Sequence, residues 1–356
     1  MSGSTVITSP ATQQTLDAVV EKVAAVAGAV DDGERDVRPA LTDLGAAGLL
    51  DLGTVGGRGT LAEQAAVLRQ LAGVCMASAF SAWAQHMAID YIAAWGTPEL
   101  QAEVLPDLTT GTRPGATAMA TAFQDALGLR EIGVTADDRA DDEVVLDGLV
   151  PWASNLFADG AVVVLPARTS AGRRLIVAIR TDQAGVTVKP YPPLLALGST
   201  ASTSLHLDAV RVPTTHILTD RFLDFLADVR GPFLLLQAAF CLGIADAALA
   251  SAAGRSLGPE DVLADDQRGL SDRLVALTSD HARLLARGRQ GGTEVVALRL
   301  AAGRLGVDAT RHEANAAGGA GYLATSATAR RLREAAFLPI QSPTEAQLRW
   351  ELSRSA

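Results

Sequence analysis

Residues 143–155 run Glu143-Val144-Val145-Leu146-Asp147-Gly148, then Leu149 and Val150, then Pro151-Trp152-Ala153-Ser154-Asn155. The first six read as a short strand and a turn, and the period of the chain changes around them. On their C-terminal side, Ala161–Leu165 is a continuous apolar run between Gly160 and Pro166, the pattern of a fully buried strand. Arg174–Arg180 and Val186–Lys189 follow at strand length, and Thr203–Val212 alternates up to Pro213. Several short strands joined by turns, with no helices between them, predict an antiparallel β-barrel or sandwich rather than a parallel sheet.

On either side the apolar residues recur at helical spacing. Leu16, Val19, Val20, Val23, Val26, Ala27 and Val30 share one helix face. Asp36–Leu50 continues helical to a stop at Gly48. Thr60–Ala94 is Ala-rich and apolar on nearly every side, interrupted only by Gly73, which places it inside a bundle. Thr97-Pro98-Glu99 is an N-cap, a proline at the first helical position and an early acid, so another helix starts there. After His216 the chain is helical again. Phe222–Ala253 carries Gly231-Pro232, where a new helix is expected to begin; Asp261–Leu285 and Thr293–Asn315 are amphipathic, Gly318–Gly321 breaks the latter, and Ala327–Phe337 is a shorter helix. The expected architecture is α+β and multidomain: an N-terminal helical domain over 1–114, a central antiparallel β-barrel domain over 115–218 and a C-terminal helical bundle over 219–356.

The chain has 356 residues, 48% hydrophobic, with a formal net charge of -10. That is too apolar for a disordered chain, and its sign disfavours binding to phosphate backbones or anionic lipid. The apolar run Phe233–Leu242 suits a core helix and is too short to span a bilayer; the polar Met1–Gln14 lacks a signal pattern, so a cytoplasmic location is expected. Cys75 and Cys241, each inside an apolar helical pattern, read as free buried thiols. The five histidines show no metal-ligand spacing, and no phosphate loop or nucleophile elbow appears; Arg58, within Gly56–Gly59, reads as part of a surface turn.

Four segments, taken in order, resemble the acyl-CoA dehydrogenase family of FAD-dependent flavoproteins. They are Trp95–Gln101 with Val104-Leu105-Pro106 and Thr110-Gly111; Val145–Gly148 with Pro151–Asn155; Asn315-Ala316-Ala317-Gly318-Gly319-Ala320-Gly321-Tyr322; and Arg330–Ala336 followed by Ile340-Gln341-Ser342-Pro343-Thr344. The resemblance implies FAD as cofactor, an acyl thioester as substrate, and a homodimer or homotetramer or a mixed oligomer. It makes Trp152 the neighbour of the flavin ring and Ser154 the hydroxyl donor near its N5 position. It places Thr121 at the pyrimidine edge, and Thr344 in a loop beside the flavin. Asn315, Gly318 and Gly319 fall where backbone approaches the ADP half across a subunit interface, and Arg255 where an Arg contacts a partner's flavin. Glycine allows that close approach.

The family's base is a glutamate that removes the proton α to the thioester; Ser342 stands at that position, and a serine hydroxyl is too weak a base to replace it. Asp228 and Glu345 are the nearest alternative acids, and Arg230 matches the Arg beside the base in relatives that carry it on the first C-terminal helix. Arg255-Ser256-Leu257-Gly258 also lacks the family's aromatic. Three functions stay open: an acyl-thioester dehydrogenase with its base relocated, a flavin-dependent monooxygenase on the same fold, and a non-catalytic partner subunit.

Overall fold

The computed structural model describes residues 10–139, 142–255 and 262–355. Five helices come first: α1 (Pro10–Asp31), α2 (Arg38–Ala46), α3 (Leu61–Val74), α4 (Met76–Trp95) and α5 (Pro98–Thr109). A capping box starts α3: the Thr60 hydroxyl accepts from the Glu63 N–H at 3.2 Å, and the Glu63 carboxylate accepts from the Thr60 N–H at 2.8 Å. The expected cap of α5 is present, with Thr97 Oγ1 accepting from Leu100 N–H at 3.1 Å. The break expected at Gly73 falls instead at Cys75, whose backbone is extended (φ -156, ψ 105). Gly73 remains helical, and a Cβ there would make only an ordinary contact with the Gly243 carbonyl, at 3.6 Å.

The middle of the chain contributes β1 (Gly115–Thr117), α6 (Ala120–Ala126), β2 (Val134–Asp137), β3 (Glu143–Ala153), β4 (Val162–Thr169), β5 (Arg174–Arg180), β6 (Val186–Val188), β7 (Thr203–Pro213) and β8 (Ile217–Thr219). They form one sheet in the order β6-β7-β3-β2-β4-β5-β8, with β1 also on β4. This corrects the expected antiparallel barrel. The sheet is open and mixed, since β1 and β2 both run parallel to β4 while the other pairs are antiparallel. Parallel pairing needs a crossover between the strands, and the edge strands β6 and β8 have three residues each and do not meet. The apolar run of β4 is buried on both faces, as its composition implies.

Strand β3 slips register against β7 twice, between Leu146 and Gly148 and between Val150 and Ala153. The first slip sits at Gly148, whose φ of +133 and 2.3 Å approach to the Gly133 carbonyl leave no room for a side chain. The second takes Pro151 and Trp152 out of the ladder, where a proline without an N–H costs nothing and the following side chain is re-aimed.

The C-terminal region holds α7 (Phe222–Ala253), α8 (Ala264–Leu285), α9 (Thr293–Gly321), α10 (Ala327–Ala335) and α11 (Glu345–Ser355). Gly231-Pro232 starts no new helix: α7 is continuous for 32 residues, and Gly231 lets the Arg289 carbonyl come within 2.1 Å of where a Cβ would sit. Among the described residues α7 is the one helix long and apolar enough to cross a membrane, and 83% of that window is buried inside the protein. It packs as a core helix, apolar all round. Cys75 and Cys241 are buried and unpaired. The break at the glycine cluster falls on Gly318 (φ 55, ψ -144).

Helix α10 fastens the two ends of the chain. Arg330 donates to the Val74 carbonyl at 2.8 Å, Arg333 pairs with Asp31, and Arg331 Nε donates to Glu313 at 2.9 Å beneath Thr328. Glu334 accepts from the Met76 N–H at 3.1 Å at the start of α4, and its second oxygen is buried without a partner. Burial pushes the Glu334 carboxyl up to about 7, against the opposing pull of Arg330.

Two consequences are measurable. A Cβ on Gly243 would lie 2.1 Å from the Arg69 carbonyl, where α7 crosses α3, whereas one on Gly28 in α1 meets nothing within 4 Å. Gly243→Ala is expected to destabilise by about 3 kcal/mol through overpacking, and Gly28→Ala to stabilise by about 0.5–1 kcal/mol through helix propensity. Urea unfolding midpoints test the pair; equal effects would contradict the close crossing. The folded Glu334 holds its proton up to about pH 7, while an unfolded glutamate releases it near 4.5. The folded state therefore binds the extra proton in that window, and stability falls as pH rises through it. Glu334→Gln keeps the acceptor for Met76 and removes the titration. Its stability relative to the parent chain is expected to improve between pH 5 and pH 8, by on the order of 3 kcal/mol, and a difference that does not vary with pH would refute this.

Candidate functional site

A cavity of about 490 Å³ opens where α4, the β1–α6 connection, β3, α7 and the α10–α11 connection meet. Its walls are largely apolar, with aromatic rings among them. Phe80 stacks on Trp83 at 5.4 Å between ring centres, Phe233 meets Trp83 edge-on at 4.9 Å, and Phe337 meets Phe80 edge-on at 5.0 Å. Large flat apolar surfaces of this kind suit a flat ligand.

Five of the residues singled out from sequence line this one cavity: Thr121, Trp152, Ser154, Ser342 and Thr344. Trp152 is 56% exposed, set outward by the second slip of β3. Ser154 Oγ shares a hydrogen bond with Ser202 Oγ at 2.7 Å, which shares another with Thr200 Oγ1 at 2.7 Å. Behind them Asn155 adopts a left-handed backbone (φ 61), a conformation Asn tolerates better than most residues. Its side chain is buried and donates to the carbonyls of Ser81 at 3.0 Å and Gly115 at 2.9 Å. One amide thus ties the end of β3 to α4 and β1, and fixes where the indole and the hydroxyl stand.

Other candidates lie elsewhere, which corrects the catalytic assignment. Asp228 accepts from Trp95 Nε1 at 2.9 Å and from Arg289 Nε at 3.0 Å. Burial raises its carboxyl, but the hydrogen bonds from Arg289 and Trp95 outweigh this and hold it below its ordinary value. Arg289 also grips the fully buried Asp90 with two bonds of 2.7 and 3.0 Å, so Asp228 belongs to a structural network. Arg230 binds both oxygens of Glu351 at 2.8 and 2.7 Å and lies 4.6 Å over the Phe123 ring. Glu345 pairs with Arg304 at 2.7 Å. Among the described residues, no carboxylate lines the cavity. Arg255, Asn315, Gly318 and Gly319 are exposed and outside it, while Ser256–Gly258 fall outside the described residues.

The structure adds a group that the sequence reading overlooked. Arg299 of α9 is 1% exposed, and its guanidinium meets neutral acceptors: Gln237 Oε1 at 2.9 Å, the Leu338 carbonyl at 3.1 Å and Gln341 Oε1 at 3.0 Å. Gln237 in turn donates to the Ser342 carbonyl at 3.0 Å. These bonds pin residues 338–342 to α7 and α9. Gln341 Nε2 and Ser342 Oγ, both buried and both on residues of the cavity wall, have no protein partner. The signal available was a lone polar residue in an apolar helix, Gln237 within Phe233–Leu242 and Arg299 between Leu298 and Leu300.

Residues 10–112 match the family model described as acyl-CoA dehydrogenase, N-terminal domain. A search of curated proteins gives no match. Among solved structures, the chain superimposes on a glutaryl-coenzyme A dehydrogenase in complex with glutaryl-CoA with a TM-score of 0.85 at 20% identity, covering 98% of this chain and 95% of that one. Butyryl-CoA dehydrogenase from Megasphaera elsdenii gives 0.84 at 18% identity over 98% and 99%. A dibenzothiophene monooxygenase from Paenibacillus sp. A11-2 gives 0.81 at 18% identity over 96% of each chain. At these identities the superpositions speak for the fold, and the family match covers the N-terminal domain. The chain therefore has the acyl-CoA dehydrogenase fold, and its residues 10–112 match that family's N-terminal domain.

Proposed function

We propose that the chain is a flavin-dependent oxidoreductase that holds the isoalloxazine of FAD in the 490 Å³ cavity and oxygenates a substrate bound in the same space. The observation that carries the choice is the polar part of the lining, which consists of hydroxyls, amides and arginines with no carboxylate among the described residues. Removing a proton α to a thioester needs a base of raised pKa close to the reacting carbon, and the two substitute acids that the sequence offers, Asp228 and Glu345, are held in ion pairs outside the wall. Oxygenation sets no such requirement. The monooxygenase that shares this fold supports the reading.

The residues present fit the flavin head. Trp152 offers an indole face at the mouth and Ser154 a hydroxyl, in a cavity whose lining is mostly apolar. Bound and reduced, the flavin supplies the electrons that split dioxygen between a hydroxylated product and water. Trp152 would flank the ring, Ser154, held by Ser202 and Thr200, would offer it a hydroxyl, and Phe80, Trp83 and Phe233 would keep bulk water from the site. The ADP half would run to the exposed segment around Asn315, Gly318 and Gly319. Tyr322 and Leu323 beside that segment are 88% and 63% exposed, which supports a homo-oligomer completing this half of the site.

Purified protein saturated with FAD tests the reading. Anaerobic addition of butyryl-CoA or glutaryl-CoA is expected to leave the flavin colour intact. Air reoxidation of the photoreduced complex is expected to follow a time course different from that of free flavin. Trp152→Ala is expected to weaken FAD binding by about tenfold through lost stacking. Bleaching by either thioester would establish dehydrogenation instead, and failure to bind FAD would remove both oxidoreductase readings.

A further inference from the structure

We infer that Gln341 and Ser342 form an oxyanion site at the cavity wall, selecting a flat apolar substrate that carries an ionised hydroxyl of the phenol type. This rests on the reading of the cavity as the reaction site. Gln341 is 3% exposed, and its amide orientation is dictated by its neighbour: a guanidinium only donates, so the atom 3.0 Å from Arg299 Nη2 must be Oε1. Nε2 is therefore the free end, and it offers donors alone. Ser342 Oγ, one residue on, is buried and equally without a partner, while its carbonyl is held by Gln237. A buried donor left unmet is unfavourable, so a ligand acceptor that reaches both is favoured by both.

The charge behind them decides which acceptor. Among the described residues Arg299 has no acidic partner, so its positive charge reaches the wall through the polarised amide of Gln341. Arg333, also on the wall, is paired with Asp31, but Arg130 is not paired with any described acid. With no carboxylate on the lining, the buried Arg299 guanidinium is the charge directly behind these two donors, and apolar surroundings screen it poorly. A neutral carbonyl would satisfy the two donors, and an oxyanion satisfies that charge as well. The stacked Phe80 and Trp83 in the same cavity wall fit an aromatic ring as the body of such a ligand.

The test uses the full-length protein and 4-nitrophenol, whose ionised form absorbs visibly, in difference spectra with and without added FAD. At the pH where the free probe is half ionised, the ratio of ionised to neutral probe is expected to be about tenfold higher in the bound fraction. Gln341→Glu keeps the acceptor for Arg299 while removing the donor and neutralising the charge. It is expected to return the ratio to the free value, as is Ser342→Ala, whereas Ser342→Thr retains the enrichment. Thermal midpoints establish that each variant is folded. 4-Nitroanisole, which cannot ionise, is expected to bind at least tenfold more weakly. Equal binding of the two probes, an unshifted ratio, enrichment that survives both variants, or no probe binding would each overturn the inference. If the probe behaves as expected but FAD does not bind, the oxyanion site stands and the flavin reading falls. FAD binding without probe enrichment gives the reverse.

Discussion

A guanidinium in a protein interior needs its donors met, and Arg299 has them met by neutral oxygens: one from the side chain of Gln237 in α7, one from the Leu338 carbonyl and one from Gln341. Three separate pieces of chain are thereby brought to one point. Residues 338–342, which follow a short helix and precede another, would otherwise be an unsupported surface connection. Held by Arg299 and by the Gln237 bond to the Ser342 carbonyl, they become a rigid wall of the cavity. Removing one of these partners would leave a charge buried without compensation, which costs far more than an ordinary hydrogen bond.

The opposite wall is placed by a different device with the same logic. Strand β3 loses register at Pro151-Trp152, so the indole stands outside the ladder, and the left-handed Asn155 then clamps the strand end onto α4 and β1. Between the two walls α4 presents Phe80 and Trp83, and α7 presents Phe233. The cavity is thus a meeting of three regions, and its chemistry comes from what each supplies: aromatic faces from the helices, hydroxyls from the sheet, and an amide and a hydroxyl backed by positive charge from the C-terminal turn.

Much of this was legible in the residues. Helical spacing located α1 and α9, Thr97-Pro98 located the start of α5, and Arg174–Arg180 was recognisable as a strand with the bounds it has. Pro151–Asn155 and Ile340–Thr344 were recognisable as site segments, and both reach the cavity. The remainder depended on contacts distant in sequence. Whether β2 lies parallel to β4 depends on the path of α6, a helix whose seven residues are too few to show a period. Gly231 read as a break because the close approach of the Arg289 backbone, which is what it serves, leaves no local trace. Asp228 read as a candidate base because its partner Arg289 lies 61 residues away. Arg299 was hidden for the opposite reason, since an arginine in a helix is ordinarily a solvated one.

The most direct measurement is the crystal structure of the full chain grown with FAD. The expected result is the isoalloxazine inside the cavity, its face against Trp152 and its edge near Ser154, with Gln341 and Ser342 opposite and no acidic side chain at the reacting face. A flavin bound elsewhere, a cavity closed by repacked aromatic side chains, or an Asp or Glu carboxylate brought into contact with the ring would contradict it.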